Sequence, residues 1–202
     1  SLPCAAYSTD AGATWTVSPT SFPSLGGVGG DVGVRERMLA FGVGQFICVG
    51  NKKEIFSFDG INWDVGLALT IAGTTKYFYF GGGTFVLVCS ATDKVYTTPG
   101  DGVYTERTLP SADAWSAGAY GNGRHIVVAS QATAKSDDGG VTWTAAGNLP
   151  ADTGACLTMA YGNGVWVVVP AGSTNKLYYS NDGGATWSLT NTLNASNQVY
   201  SR

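Results

Sequence analysis

Two motifs that recur about every 40 residues predict an all-β repeat fold for this chain of 202 residues. The first is a polar turn followed by tryptophan, and its copies begin at residues 8, 57, 136 and 180. The second is a ring–Gly–x–Gly–x–ring segment that begins at residues 41, 80, 120 and 161, in steps of 39, 40 and 41 residues. A period of about 40 residues is typical of propeller blades. The sequence therefore predicts a β-propeller of about five blades, each a four-stranded antiparallel sheet.

Each repeat unit predicts four strands, a, b, c and d. The glycines of the second motif form a hairpin between strands a and b, because apolar runs follow its second ring at 47–49, 86–88, 126–128 and 167–169. Strand c follows at 54–57, 95–98 and 177–180, and strand d opens with the ring of the first motif. Hairpins a/b and c/d then lie on one face, and loops b/c and d/a on the other. Four full units span about 37–66, 76–107, 115–145 and 156–189.

The two ends of the chain carry partial units of opposite phase. Residues 5–8 and 14–17 predict a c/d pair, whereas 198–202 fall where the other units place strand a. We expect a single domain, 1–202, in which residues 1–18 and 195–202 build one mixed blade and close the ring. The b strand of this blade is missing from the sequence. The blade is either three-stranded or completed by residues outside this chain.

The phrase Ser/Thr-x-Asp-x-Gly-x-Thr-Trp resembles the Asp box, or BNR repeat, of sialidase-like β-propellers, and most of all the copies in phage tail and fibre proteins. The acid suits hydrogen bonds to the amides of its own turn, and the ring suits burial against a neighbouring sheet. Because the acid recurs in each good copy, we expect a structural role and not a catalytic one. The copy near residue 104 has lost the acid and kept its ring. The expected structural residues are Asp10, Trp15, Asp59, Trp63, Tyr104, Asp138, Trp143, Asp182 and Trp187.

The resemblance to sialidases does not extend to their catalytic groups. Sialidases use three arginines, a Tyr/Glu pair and an Asp, and an Arg-Ile-Pro segment usually precedes their repeats. None of the five arginines lies in such a segment, and Arg124 lies in an a/b hairpin, away from the expected active-site face. The glutamates Glu36, Glu54 and Glu106 have no tyrosine partner that the sequence reveals. We therefore expect no catalytic residue. His125 takes the ring position of its hairpin, which favours a structural role.

Composition limits the partners. The net charge of −3, with 12% charged residues, gives no reason to expect nucleic acid, and no apolar run is long enough for membrane insertion. The four cysteines are far apart, so we expect no metal and no cofactor; Cys48 and Cys89 suit buried thiols better than a disulfide. No signal peptide is visible in this sequence, and we expect a virion (phage tail) or extracellular location.

The b/c and d/a loops differ most between units, so we expect ligand binding there. The candidate residues are Lys52, Lys53, Asp93, Lys94, Asp113, Trp115, Gln131, Asn175 and Lys176. Polar loops with an occasional ring suit carbohydrate. The first hypothesis is a non-enzymatic virion or surface module that is structural or binds a receptor, with other virion or surface proteins and cell-surface glycan as partners. The alternatives are part of a glycoside hydrolase or depolymerase whose catalytic residues lie elsewhere, and an assembly scaffold that docks another protein.

Overall fold

The computed structural model describes residues 6–18, 38–50, 52–171 and 176–190. All regular secondary structure in these residues is β-strand, arranged in four four-stranded antiparallel sheets and one two-stranded sheet. The predicted all-β propeller of about five blades is therefore confirmed. No helix in the described part of the chain is long and apolar enough to span a membrane.

Each four-stranded sheet is one blade, and its strands follow each other in chain order. The first blade contains β3 (Leu39–Gly42), β4 (Gln45–Gly50), β5 (Lys53–Ser57) and β6 (Asp64–Ala68). The second contains β7 (Thr74–Gly81), β8 (Thr84–Ser90), β9 (Thr92–Thr98) and β10 (Thr105–Asp113). The third contains β11 (Ala117–Gly121), β12 (Arg124–Val128), β13 (Thr133–Ser136) and β14 (Thr144–Ala145). The fourth contains β15 (Cys156–Gly162), β16 (Val165–Pro170), β17 (Tyr178–Ser180) and β18 (Ser188–Leu189).

The first strands of successive blades lie beside one another. Strand β3 contacts β7, β7 contacts β11, and β11 contacts β15. Apolar side chains fill the space between neighbouring blades in three clusters, one for each of these interfaces. For example, Val86 and Val88 of the second blade share a cluster with Val127 and Trp143 of the third. Stability therefore comes from contacts between blades, because one sheet buries little on its own.

The a/b hairpins form as the second motif predicts. Both central residues have positive φ in each copy, for example Asn122 at 49° and Gly123 at 75°, which is a type I′ turn. The two rings of each motif are directly opposed in register, and their centroids lie 4.6 or 4.7 Å apart. The pairs are Phe41–Phe46, Phe80–Phe85, Tyr120–His125 and Tyr161–Trp166.

The N-terminal partial unit forms the predicted c/d pair. Strand β1 (Ala6–Tyr7) is antiparallel to β2 (Thr16–Val17). The hydroxyl of Ser18 donates to the carbonyl of Ile61 in the first blade, so this pair lies next to that blade. The predicted strand at 198–202 and most of the Gly-rich segment 18–34 lie outside the described residues.

Two of the predicted b/c loops are much shorter than expected. Ala91 alone separates β8 from β9, with a φ of 60°, and residues 51–52 separate β4 from β5. Lys53, Asp93 and Lys94 consequently lie on strands and not on loops. These loops are short because strands b and c stay paired almost to the turn; Gly50, for example, is paired with Lys53.

Candidate functional site

The Asp-box turns hold their carboxylates in a closed set of hydrogen bonds. In the third blade, Asp138 Oδ1 accepts from the Ser136 hydroxyl at 2.8 Å and from the Thr142 amide at 2.9 Å. Its Oδ2 accepts from the Thr142 hydroxyl at 2.6 Å. The Ser136 oxygen in turn accepts from the Gly140 amide at 2.9 Å. The copies at Asp10 and Asp182 repeat these bonds.

These hydrogen bonds stabilise the ionised acids. Bonds from the Thr186 side chain and amide lower the pKa of Asp182 from 3.8 to about 2. Thr14 does the same for Asp10, whose pKa is also about 2. The pKa values of Asp59 and Asp138 lie further below the ordinary range for the same reason. The acids therefore cap their own turns.

Two degenerate copies keep this arrangement by substitution. In the first blade, the Asn62 side chain donates to Asp59 Oδ2 at 2.8 Å, where the other copies use threonine. In the second blade, Asp101 accepts from the Val103 amide at 3.0 Å and from the Thr98 hydroxyl at 3.3 Å. The expectation that the copy near Tyr104 had lost its acid was wrong. The acid lies three residues after the hydroxyl and not two, so the sequence spacing concealed it.

The rings of the Asp boxes do not share one environment. Trp63, Trp143 and Trp187 are buried, and the indoles of Trp63 and Trp143 donate to glycine carbonyls of their own turns. Trp15 is 67% exposed, so it is not the buried ring that the repeat predicts. The difference lies in what surrounds the turn, because Asp10 makes the same hydrogen bonds to its own turn as Asp138 and Asp182 do.

Polar side chains of two a/b hairpins link neighbouring blades. Gln45 Nε2 donates to the carbonyl of Gly100 at 2.6 Å. At the same hairpin position in the third blade, Arg124 donates to both oxygens of Asp137, at 2.5 and 3.1 Å, and to the carbonyl of Gly183 at 2.8 Å. Arg124 therefore joins the third blade to the fourth.

His125 is fully buried among rings. Its Nδ1 lies 3.3 Å from the Tyr79 hydroxyl, and its ring contacts those of Tyr120 and Trp143. Burial lowers the pKa of His125 from 6.5 to about 4. The imidazole is therefore neutral at physiological pH and lies within the core.

Two glutamates have tyrosine partners, contrary to the sequence-based expectation. Tyr104 donates to Glu54 Oε2 at 2.5 Å across the interface between the first two blades, and Tyr96 donates to Glu106 Oε2 at 3.1 Å within the second. The first pair joins residues that are 50 positions apart in the chain, so only the packing of the first blade against the second brings them together. Burial of Glu54, which is only 4% exposed, raises its pKa.

One group of polar residues lies on β9 and β10 of the second blade, towards the loop face. The Lys94 ammonium nitrogen lies 3.6 Å from Asp93 Oδ2 and 3.5 Å from Glu106 Oε1. Tyr96 joins this group, because its hydroxyl bonds to Glu106 and also accepts from the Ala72 amide at 2.7 Å. Asp113 ends β10, and its carbonyl accepts from the Ala91 amide at 3.0 Å.

A second group joins the third and fourth blades. Lys176 pairs with Asp152, which also accepts from the Tyr178 hydroxyl at 2.9 Å. Gln131 donates to the carbonyl of Ala151, at 3.5 Å, in the same connecting segment. The sequence analysis did not single out Asp152 or Tyr178. The signal that could have found Asp152 is its position as an acid in a d/a connection. These contacts bring Gln131 and Lys176 to the same segment.

The remaining candidates fall elsewhere. Trp115 is 1% exposed and its indole donates to the carbonyl of Ser111, so its ring belongs to the core and its faces are not available to a ligand. Lys52 is exposed in the turn before β5, where its φ is 60°. Asn175 lies outside the described residues.

The described residues contain no group of three or more His, Cys, Asp and Glu side chains that could hold a metal ion. Cys48, Cys89 and Cys156 are buried free thiols, and burial raises the pKa of each to about 12. These thiols are therefore packing groups of the blade interfaces.

Comparisons with known proteins agree with the repeat and the fold described above. Residues 178–189 match the BNR/Asp-box repeat, which is the copy of the fourth blade. A comparison with curated protein sequences found no match. The chain is thus a β-propeller module that carries Asp-box repeats.

Among solved structures, the chain is similar to YCF48 bound to D1 peptide, with a TM-score of 0.61 and 15% identity over 94% of this chain and 61% of that one. It is similar to a streptogramin B lyase, with a TM-score of 0.63 and 13% identity over 76% of this chain and 53% of that one. A GH74 enzyme of Niastella koreensis has a TM-score of 0.53 and 20% identity over 74% of this chain and 23% of its own. The chain spans less than two thirds of each structure, and the likeness is one of fold.

Proposed function

We propose that this chain is a non-enzymatic β-propeller module of a virion, in a phage tail or fibre, or of another surface protein, with a structural or receptor-binding role. The observation that carries the proposal is how the Asp-box acids are used. Each carboxylate of Asp10, Asp138 and Asp182 accepts hydrogen bonds on both oxygens from its own turn. A general acid or metal ligand needs oxygen lone pairs that face a ligand, whereas these oxygens accept from the threonine amide and the threonine hydroxyl of their own turn.

The loop face supports a binding role. It carries the Lys94 and Lys176 groups, each with an acid and a tyrosine hydroxyl. Hydroxyl, ammonium and carboxylate groups of this kind suit the hydroxyls of a glycan or the polar surface of another protein. The low charged fraction of 12% also favours a neutral, polar ligand.

Docking of another protein is the second candidate function. The observation that favours it is the similarity to a structure described as YCF48 bound to D1 peptide. That description concerns the other protein, and the fold alone links it to this chain. The binding experiment therefore includes a protein arm.

The test is binding of the labelled chain to a glycan array and to isolated bacterial envelopes, together with cross-linking in purified phage particles. We expect binding to a glycan or envelope preparation that falls at least about tenfold in Lys94→Ala/Lys176→Ala. Lys135→Ala is the matched control, because Lys135 lies near Asp137 beside the Asp-box turn, on the opposite face. Its binding should equal that of the unmodified chain.

Other results would redirect the assignment. Release of reducing sugar from a bound polysaccharide by the chain alone would contradict the non-enzymatic proposal and favour a depolymerase. Capture of a single protein by cross-linking, lost in the double variant and with no glycan bound, would favour the scaffold.

A further inference from the structure

The chain has one histidine, and it lies between the second and third blades. His125 takes the second ring position of its hairpin, where the other three hairpins carry phenylalanine or tryptophan. It is fully buried, and its ring contacts Tyr79 of the second blade and Trp143 of the third. Both blades lie within residues 52–171, all of which the structure describes. At this one of the four hairpins, an ionisable ring therefore replaces one that cannot ionise.

Only one of the two imidazole nitrogens of His125 has a hydrogen-bond partner. Its Nδ1 lies 3.3 Å from the hydroxyl of Tyr79, which is itself buried. Its Nε2 is buried, and no polar atom of the described residues bonds to it. A neutral imidazole has one N–H and one lone pair, whereas the protonated ring has two N–H groups. Protonation would therefore leave a positive charge in the core with an Nε2–H that has no acceptor.

The charged groups around this ring do not compensate for its burial. The titratable or charged side chains of the surrounding elements are Tyr79 on β7, Arg107 on β10, Tyr120 on β11, Arg124 on β12, Lys135 on β13, and Asp137 and Asp138 in the turn after β13. The charge of Asp138 favours protonation of the imidazole, but both carboxylate oxygens already accept hydrogen bonds from their own turn. Asp137 is bound by Arg124. Burial outweighs the attraction of Asp138, and the pKa of His125 falls from 6.5 to about 4.

We propose that His125 makes the interface between the second and third blades an acid-sensitive joint, which loosens as pH falls from neutral while the other two interfaces of the described blades stay closed. A protonated imidazole is more stable in water than among the rings of Tyr79, Tyr120 and Trp143, because a buried cation without an acceptor is costly. The hydrogen bonds of each sheet run within its own blade, so the contact between two blades can loosen while both sheets stay intact.

The sign of the effect follows from the two pKa values of His125. The value is about 4 in the closed interface and 6.5 in an unperturbed histidine, so the opened state takes up the proton first as pH falls. The stabilisation is complete above pH 6.5 and is lost as pH falls towards 4. Glu54, between the first and second blades, acts in the opposite sense, because burial raises its pKa and acid neutralises it. Acid therefore weakens one interface and not its neighbour.

The test places a thiol in this interface. Val127→Cys introduces it at a fully buried position of β12, in the cluster between the two blades. The native buried thiols of the other two interfaces are internal controls, Cys48 and Cys89 in one and Cys156 in the other. Labelling with dithiodipyridine, which reacts in acid as well as at neutral pH, is followed by peptide mapping. We expect labelling of the introduced thiol, relative to the native ones, to rise more than about tenfold from pH 7 to pH 5.

Two further substitutions, each combined with Val127→Cys, separate the imidazole from its packing. His125→Phe restores the ring of the first two hairpins and should abolish the rise in labelling. Because that change also removes the partner of the Tyr79 hydroxyl, Tyr79→Phe is the matched control. It keeps the imidazole, so the rise should remain. A rise that survives His125→Phe, or one shared equally by the native thiols, would overturn the proposal.

The titration can also be followed in the unmodified chain, because His125 is its only histidine. The proton on Cε1 of the ring gives one NMR signal. We expect its midpoint to lie more than about one pH unit below the ordinary value of 6.5. A midpoint at the ordinary value in the folded chain would overturn the proposal, since the ring would then be solvated or paired. The joint does not depend on the function proposed for the loop face.

Discussion

One carboxylate organises each Asp-box turn, and in three of the turns it has the same partners although the remaining sequences differ. The Asp–Ser–Gly–Thr hydrogen bonds at Asp10, Asp138 and Asp182 agree within a few tenths of an ångström. Because the lowered pKa values show that these acids are stabilised in their charged form, the turns should weaken in acid.

Asp182→Asn should lower the melting temperature (Tm) by a few degrees at pH 7 and reduce the acid dependence of Tm. The pKa of Asp182 is about 2 in the folded chain and 3.8 in an unperturbed carboxyl. The unfolded state therefore binds a proton first as pH falls, so the stabilisation is present above about pH 4 and lost towards pH 2. Thermal melts followed by circular dichroism at pH 2–7 measure this.

Asp64→Asn is the control, since Asp64 is exposed on β6 outside any turn motif. It removes the same charge and should leave the slope of Tm between pH 4 and 2 unchanged. An equal change in both variants would mean that net charge, and not the turn, sets the acid sensitivity.

The rings of the repeat give a second prediction at the residue scale. Trp143→Ala should cost about 3–5 kcal/mol in the free energy of unfolding, because its ring is 7% exposed between two blades. Trp15→Ala should cost less than about 0.5 kcal/mol, since the ring is exposed. Urea denaturation compares them. Equal losses would show that Trp15 is covered in solution.

At the scale of the element, the a/b hairpin explains why every unit repeats the ring–Gly–x–Gly–x–ring spacing. Its type I′ turn sets the register, which opposes the two rings and directs alternate residues of strand b towards the two neighbouring blades. A one-residue slip would turn the buried Val86 and Val88 to the opposite face. The position of the glycines is consequently fixed by the strand that follows.

Gly121→Ala and Gly162→Ala test the contact between hairpins. The added methyl at Gly121 meets the Tyr161 ring at 2.1 Å, so we expect a loss of about 1–3 kcal/mol. At Gly162 no described atom lies within 4 Å, and the change should be below about 0.5 kcal/mol. Chemical denaturation of both variants measures the difference. A comparable loss at Gly162 would indicate that this hairpin is already covered.

The turn and hairpin elements were predictable because their signals are local. Glycines, hydroxyls and acids at fixed spacing determine a turn within a few residues. The b/c connections were predicted less well, since Ala91 and Lys52 adopt positive φ without being glycine. Pairing of the adjacent strands imposes that conformation, and no local pattern announces it.

At the scale of the whole molecule, the interfaces between blades bury an ionisable group, the Glu54 carboxyl. Glu54 is buried beside Tyr104 of the next blade, and burial raises its pKa. The folded state therefore binds a proton more tightly than the unfolded state does. This contribution favours folding below pH 4.5 and is lost as pH rises through the raised pKa.

Glu54→Gln should consequently raise Tm at pH 8, because the amide oxygen still accepts from Tyr104 and no charge is buried. The difference from the unmodified chain should shrink as pH approaches 4.5. Thermal melts between pH 4.5 and 8 measure it. Glu106→Gln, at the largely exposed carboxylate beside Tyr96, serves as the control and should shift Tm much less. A gain that does not depend on pH would contradict the argument.

The sequence by itself determined the fold class, the repeat phase and the hydrogen bonds of the Asp-box acids to their own turns, because each depends on residues close together in the chain. Only the tertiary structure decided which of these side chains contact one another and which are buried. It paired Glu54 with Tyr104, buried Trp115 and joined Lys176 to Asp152. It also distinguished Trp15 from its equivalents, since a ring's burial depends on the neighbouring blade and not on its own turn. Local hydrogen bonds specify the turns of a blade, whereas contacts between residues distant in the chain decide which side chains are buried between blades.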